Sequence, residues 1–484
     1  MTLVLKDPEL LEFRSLIDGE WVGAGVDAVH NPATGALLGH VAHLGAAEAT
    51  RAVEAAARAF KPWAKKLAKE RGAILRRWFD LIIANREDLA LILTSEQGKP
   101  LAEARGEIDY AASYVEYYAE EAKRIYGETV PSHRPDARII VARQPAGVVA
   151  AITPWNFPAG MITRKIAPAL AAGCTAVVKP APETPLTALA LAVLAQRAGI
   201  PDGVFNVLTG DAPAIGQVFT GHPAVRVVGF TGSTEVGKLL MRQAAGGVKK
   251  VALELGGNAP FIVFDDADID AAVEGAMISK FRNMGQTCVC ANRIYVQDGV
   301  YDAFVARLAE RVAALVVGEG TAPGVTQGPL ITADALAKVE RLVADATAKG
   351  ATAVTGGRHH ALGRTFYEPT VLAGVTAAMT VAREEIFGPV APVFRFHSED
   401  EVVEAANNTE YGLAAYFYAR DIGRIFRVAE ALEYGMVGIN SGLLSSELAP
   451  FGGVKESGNS REGGPHGIAE FVETKYMLLG GLDR

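Results

Sequence analysis

The stretch VRVVGFTGSTEVGK, residues 225–238, runs from an apolar β-rich segment through a glycine turn to a helix that Ser233 is placed to cap. Strand, turn and helix in that order make half of a βαβ unit, and the same grammar recurs on both sides of it. The apolar runs GVVAAI (147–152), CTAVVK (174–179), VFNVL (204–208) and KKVALEL (249–255) flank it. Between them lie Pro158 to Ala172, Thr184 to Ala198 and STEVGKLLMRQAA from Ser233, each long enough for a crossover helix. The pattern predicts a doubly wound α/β unit with a parallel sheet, whose ligands gather at the carboxyl ends of the strands. A second alternating block begins with APFIVF at Ala259, continues through IYVQ (294–297) and FYEPTVLAGV (366–375), and ends at GMVGIN (435–440). It predicts a second α/β domain.

Residues 45–128 are almost continuously helical in pattern and are expected to cover the first sheet. PSHRPDARIIVARQP (131–145) and FVETKYMLLGGL (471–482) read as isolated strands, which are liabilities unless paired and so predict an oligomerisation arm. The 484 residues carry 47 Lys plus Arg against 55 Asp plus Glu, a net charge of −8, so no cationic surplus is available for nucleic acid. Three cysteines are too few for a secretory disulfide framework. The N-terminal MTLVLKDPELLEFRS lacks the apolar core of a signal peptide, and no apolar run approaches 18 residues. A soluble, cytoplasmic protein without membrane partners is expected. His40, His43, His359 and His360 have no Cys or acid at metal-ligand spacing, and no metal is assigned.

Three residues stand where chemistry could be done. Cys288, in FRNMGQTCVC, follows a Gly-Gln-Thr turn between a predicted helix and strand, which suits an accessible thiol as well as a small packed one. Glu254 ends an apolar strand just before Gly256 and Gly257, a costly place for an acid unless it is capped, ion-paired or at work. Asn156, between Trp155 and Phe157 in TPWNFP, is either a turn residue or a rigid amide able to donate to an oxyanion. No G-x-G-x-x-G occurs, so a phosphate site falls to the helix start at Ser233, a weak signal alone. Lys179 adds a cation at the same sheet edge, unless it is a solvated loop lysine.

Taken together, TPWNFP, VVKP, GFTGSTEVG, ELGGNAP, GQTCVCANR, EEIFGPV and PFGGVKESG, in this order from Thr153 to Gly458, resemble the aldehyde dehydrogenase superfamily over the whole chain. MITRK, FRNMGQTCVCANR and LAAYFYARD look most like its succinate-semialdehyde dehydrogenases. The resemblance implies a Rossmann-like cofactor domain (1–122 and 143–254), an α/β catalytic domain (255–448, with 449–470 returning to the cofactor domain) and a β arm (123–142 and 471–484) used in a homodimer or homotetramer. It implies Cys288 as nucleophile, Glu254 as general base and Asn156 as oxyanion donor. Thr153, Pro154, Trp155, Lys179, Pro182, Gly232, Ser233, Glu385 and Phe387 would hold the cofactor, and Arg164, Arg282 and Ser445 the carboxylate of a semialdehyde. The resemblance further implies that hydride would pass to a nicotinamide and that water would hydrolyse the resulting thioester to the acid. Glutarate semialdehyde or another aldehyde is the alternative substrate, and a non-catalytic homologue the remote alternative. Pro182 stands where NAD-preferring relatives carry a Glu that repels a 2′-phosphate, so NADP is favoured and NAD is the alternative, restored if Glu183 takes over that place. Cys290, two residues after the nucleophile, is either packing or a redox partner able to form a strained, easily reduced bridge.

Overall fold

A computed structural model of the chain describes residues 3–483. Its first sheet has seven strands in the spatial order Lys250–Glu254, Val225–Thr231, Val148–Ile152, Thr175–Lys179, Phe205–Val207, Ser15–Ile17 and Glu20–Val22. The first five are parallel, as the alternating pattern predicts. The last two form an N-terminal hairpin added antiparallel to Phe205–Val207. Sequence reading misses it because three-residue strands are too short to show a period.

Helices Gly160–Ala172, Pro185–Arg197, Ala212–Gly221 and Thr234–Ala245 are the crossovers. Helices Ala46–Lys65, Ala68–Ala84, Arg86–Gln97 and Leu101–Glu121 pack over the same unit. Trp63 and Trp78 are fully buried there, and their indole N–H groups donate to the carbonyls of Leu170 and Leu191 at 3.1 Å each. All thirteen residues of Gly160–Ala172 are buried. Such a helix should be apolar all round, yet this one carries Arg164 and Lys165, charges that are tolerable only if paired.

The second sheet runs Thr352–Thr355, Thr370–Ala373, Val390–Phe396, Ala291–Gln297, Ala259–Val263, Ala414–Tyr418 and Met436–Ile439, parallel except for its first pair. The two segments read as isolated strands are each other's partners. Arg138–Pro145 pairs antiparallel with Val472–Leu479 along its whole length, and Glu128–Val130 adds a third strand. Tyr476 to Leu479 are exposed on this ribbon.

The segment after Pro450 returns to the open edge of the first sheet. Leu255 N–H donates to the Ser457 carbonyl at 2.9 Å, and Ser457 Oγ donates to the Gly256 carbonyl at 2.7 Å. Gly458 has φ +125°, and a Cβ there would lie 2.1 Å from the Leu253 carbonyl oxygen, so only glycine fits. This return closes the chain over Glu254. Among the described residues, no helix is long and apolar enough to cross a membrane.

Candidate active site

Cys288 sits in the loop between helix Ile269–Phe281 and strand Ala291–Gln297. The approach to it is strained: Asn283 (φ 51°), Met284 (φ 56°) and Gly285 (φ 73°) are consecutively left-handed. The two non-glycine residues cost about 1–3 kcal/mol each unless their surroundings hold them. Glu103 accepts from Asn283 N–H at 2.7 Å, and Gln286 Oε1 accepts from Ile331 N–H at 3.0 Å. Gly257 lets the loop lie against the strand edge, since a Cβ there would be 2.5 Å from the Cys288 carbonyl oxygen.

The thiol is the boundary between two cavities, of about 270 and 300 Å³. It is enclosed by protein but open to both. Burial pushes it up to about 12; Arg164 opposes this, while Glu385 and Glu254 add to it. The resting group is therefore a thiol.

The larger cavity is lined by Pro154, Trp155, Asn156, Gly232, Ser233, Glu385 and Phe387, all nominated from sequence, together with Lys338, which was not. Ser233 caps the helix behind it, its Oγ accepting from Val236 N–H at 3.4 Å. Glu385 accepts from Gly257 N–H at 3.2 Å and is pushed by burial up to about 7. Phe387 has φ 54° and meets the Trp155 ring edge-on at 5.6 Å. A helix N-terminus, an acid and two aromatic walls fit a phosphate, a ribose and a flat ring, which are the parts of a nicotinamide dinucleotide.

Thr153, Lys179 and Pro182 do not line this cavity. Thr153 N–H donates to the Lys179 carbonyl at 3.1 Å. Burial lowers the Lys179 ammonium, and Glu183, Asp211 and Asp27 raise it. Pro182 is exposed, and together with Glu183 it lines a separate cavity of about 490 Å³. Glu183 is therefore close to Lys179 in charge terms although Pro182 occupies the earlier place.

The smaller cavity is lined by Arg164, Arg282, Ser445, Tyr110, Phe157 and Phe451, among others. Its two guanidiniums differ. Arg282 is half-buried, lies 5.2 Å from the Phe157 ring and has no ion-pair partner among the described residues. Arg164 is 2% exposed, stacks 3.8 Å from the Phe451 ring and is ion-paired to Glu462 at 2.5 Å. Lys165, the next residue, is also ion-paired to Glu462 and donates to Thr231 Oγ1 at 2.5 Å. Burial pushes the Glu462 carboxyl up, but Arg164 and Lys165 outweigh it and hold it below its ordinary range.

Glu254 belongs to the same buried group and lines neither cavity. Its Oε1 accepts from Ser460 Oγ at 2.6 Å, while Oε2 has no hydrogen-bond partner among the described residues. Burial first, then the Glu462 charge, pushes it up to about 8, against Ser460, Arg164 and Lys165. A carboxyl with a free oxygen and an affinity for protons near neutrality suits a base.

Asn156 is 3% exposed. One of its amide hydrogens goes to the Gln286 carbonyl at 3.1 Å, and its Oδ1 accepts from Phe157 N–H at 3.1 Å. The second amide N–H remains for a ligand. Cys290 is buried and its Sγ donates to the Lys280 carbonyl at 3.4 Å.

Sequence reading missed Lys165, Ser460 and Glu462. The available signal was a pair of charges inside an otherwise apolar helix, which demands a buried acid somewhere else in the chain.

The aldehyde dehydrogenase family model matches residues 21–477. Over its full length the chain is 62% identical to a 3-sulfolactaldehyde dehydrogenase of Pseudomonas putida, with all of both chains covered. It is 60% identical to an NADP(+)-dependent succinate-semialdehyde dehydrogenase of Escherichia coli, covering 98% of this chain and 99% of that one. The crystal structure of succinate-semialdehyde dehydrogenase from Burkholderia pseudomallei superposes with a TM-score of 0.97 at 62% identity, covering 98% and 99% of the two chains.

Proposed function

The chain belongs to the aldehyde dehydrogenase family, and from that premise we propose that it oxidises a short aldehyde bearing a distal carboxylate, succinate semialdehyde first, to the acid. The observation that carries this reading is Arg282: a guanidinium in the wall of the cavity beyond Cys288, which feels the Glu103 charge but is in ion-pair contact with none of the described residues, is costly unless an anion arrives to meet it. Ser445 and Arg164 line the same cavity.

In this reading the Cys288 thiol gives its proton to water in the cavities it opens onto, and the resulting thiolate attacks the aldehyde carbon. The oxyanion of the hemithioacetal is met by the remaining Asn156 Nδ2–H and the Cys288 N–H, a donor of this kind being worth about 3 kcal/mol. The hydride acceptor would be a nicotinamide held in the larger cavity. Pro154, Trp155, Gly232, Ser233, Glu385, Phe387 and Lys338 would hold it there, with Thr153, Lys179 and Pro182 further along the strand edge toward the adenosine. Glu254 then draws a proton from the water that hydrolyses the Cys288 thioester. NADP is favoured because Pro182 offers no carboxylate to repel a 2′-phosphate, and the NADP(+)-dependent relative supports that choice.

A second reading has a specific observation behind it: 62% identical relatives are named for 3-sulfolactaldehyde and, in Pseudomonas aeruginosa, for glutarate semialdehyde. A guanidinium binds a sulfonate as well as a carboxylate. Reduced-nicotinamide formation with NADP and NAD, across succinate semialdehyde, glutarate semialdehyde, 3-sulfolactaldehyde and a neutral aldehyde of similar length, tests both readings. The expected ranking is succinate semialdehyde with NADP highest and the neutral aldehyde lowest. A neutral aldehyde that matches it overturns the anion-recognition reading.

We also propose the division into a cofactor domain (1–122 and 143–254), a catalytic domain (255–448, with 449–470 returning) and an arm (123–142 and 471–484), supported by the separate sheets. The exposed apolar row Tyr476 to Leu479 supports a homodimer or homotetramer. A cytoplasmic location fits a thiol-dependent enzyme with three unpaired cysteines.

A further inference from the structure

The charged residues Lys99, Glu103 and Glu107 follow one another at intervals of four, from the residue two before helix Leu101–Glu121 into its second turn. That spacing puts them on one helical face and would ordinarily describe a solvated salt-bridge ladder. Here the face is turned inward. Lys99 is fully buried and Glu107 is 3% exposed, and their side chains form an ion pair at 2.5 Å.

Each of the three reaches a loop that carries a proposed reacting group. Lys99 Nζ donates to the Asn156 carbonyl at 2.7 Å and lies over the Phe157 ring at 3.8 Å. Glu107 Oε1 accepts from Ala159 N–H at 2.9 Å and Gly160 N–H at 3.3 Å, where helix Gly160–Ala172 begins. Glu103 accepts from Asn283 N–H at the strained approach to Cys288. Asn283 ties the two loops together, its Nδ2 donating to the Asn156 carbonyl at 2.9 Å and to the Gln286 carbonyl at 3.2 Å. Both lone pairs of the Asn156 carbonyl are thus occupied, one by Lys99 and one by the Cys288 loop. The peptide that sets the direction of the Asn156 side chain is fixed from both sides.

We propose that Lys99 is a positioning residue for the oxyanion donor: held by Glu107, it clamps the Asn156 carbonyl so that the Asn156 amide is aimed at the position of the hemithioacetal oxygen. A buried lysine is an expensive way to hold a carbonyl. A bond to a charged donor, anchored on a second buried charge, gives the stiffness that a water or a neutral side chain lacks. Neither Lys99 nor Glu107 takes part in bond making. Their effect passes through Asn156, so the proposal rests on Asn156 being the oxyanion donor.

The test is a double-mutant cycle in the full-length enzyme. Lys99→Met keeps the stem and removes the charge and the donor. It should lower kcat about 100-fold, the usual scale for a misplaced catalytic group, with KM for NADP unchanged. The kinetic isotope effect with 1-deuterated aldehyde should rise, because hydride transfer becomes limiting. Lys99→Arg should recover much of the rate, and Glu107→Gln should lose about tenfold. In the Asn156→Ala background Lys99→Met should cost nothing further. If Lys99→Met folds poorly, the Glu107→Gln cycle with Asn156→Ala reads the same coupling. Additive losses, or wild-type kcat in Lys99→Met, overturn the proposal. If Asn156→Ala alone leaves hydride transfer at the wild-type rate, it is the oxyanion assignment that has failed.

Discussion

Arg164 and Arg282 face the same cavity beside the same thiol, yet one charge is already committed and the other is not. Arg164 lies in a helix buried on every side and is matched by Glu462, which also holds Lys165. Arg282 lies at the start of a loop, half-buried, with no ionic partner among the described residues. A charge placed by the core must be neutralised by the core, because burying it unpaired costs several kcal/mol. A charge placed by a loop can wait for a ligand, at a smaller cost that the ligand recovers. The two arginines nominated together from sequence are thus expected to fail differently when removed.

The largest effect is expected at the committed group itself. Glu254 is the acid of that group whose Oε2 has neither a hydrogen-bond nor an ion-pair partner among the described residues, whereas Glu462 is ion-paired to Arg164 and Lys165. Glu254→Gln should lower turnover 10²- to 10⁴-fold, the usual worth of a general base, with the Cys288 thioester accumulating and visible as added mass. The base must be ionised to work and its carboxyl is pushed up to about 8. Deacylation in the wild type should therefore rise with pH and level off above about 8, and the Gln variant should lose that rise. The stability effect runs the opposite way. A carboxyl raised above its ordinary value of about 4.3 binds its proton more tightly folded than unfolded, so stability falls as pH climbs from there toward 8. Glu254→Gln should flatten that decline in a thermal melt. A wild-type pH–rate profile that is flat between 6 and 9 would remove Glu254 from the role.

Next come the arginines. Arg282→Ala should lose about 2–5 kcal/mol of kcat/KM toward succinate semialdehyde and almost nothing toward a neutral aldehyde, with an unchanged melting temperature. Arg164→Ala leaves Glu462 buried with one cation fewer, so it should slow every substrate and destabilise the fold by about 3–5 kcal/mol. If both variants discriminate only against the anionic substrate, Arg164 serves the ligand as Arg282 does and the contrast between them is lost.

The same distinction explains what was legible in the sequence. Strand–turn–helix punctuation around residues 147–255 and 259–440 is local, and it predicts both sheets and their parallel sense. Cys288, Asn156 and Glu254 lie in segments whose neighbours are chemically unusual, so they could be picked out singly. The return of Pro450 to Glu470 across the edge of the first sheet was legible only through the family resemblance and not from its own residues, because its pairing spans about two hundred residues and rests on side-chain bonds such as Ser460 to Glu254. The Lys99, Glu103 and Glu107 face was hidden for another reason. Its spacing is that of an ordinary solvated ladder, and only tertiary burial makes it exceptional.

Lys179 tests whether the rule extends to the cofactor. Glu183 acts on it electrostatically, whereas Pro182, one residue earlier, brings no charge. Pro182→Glu should weaken NADP by about 1–4 kcal/mol, the repulsion of two charges a few ångströms apart near a surface, and leave NAD almost untouched. Apparent KM values for the two cofactors measure this. A wild type that already prefers NAD would mean that Glu183 has taken the place of the missing carboxylate.

The smallest effect on turnover is expected at Cys290, where the contrast recurs between two thiols. Cys288 opens onto both cavities, whereas Cys290 is buried with its Sγ on the Lys280 carbonyl. Under reducing conditions Cys290→Ala should keep kcat within about twofold, since a small apolar residue can fill the same space. Oxidation should separate the two. Peroxide converts the Cys288 thiolate to a sulfenic acid, and a neighbouring thiol can displace water from it to form a disulfide that dithiothreitol reopens. Between residues two apart that ring is strained, so it should form only when the loop bends and should be easily reduced. Wild-type enzyme treated with mild peroxide should then recover with dithiothreitol, with a Cys288–Cys290 bridge found by mass spectrometry. Cys290→Ala should proceed to sulfinic acid and stay inactive. If the variant recovers as fully as the wild type, the Cys290 thiol is committed to the Lys280 carbonyl as Arg164 is to Glu462, and Cys288 is the one thiol of the pair left free to react.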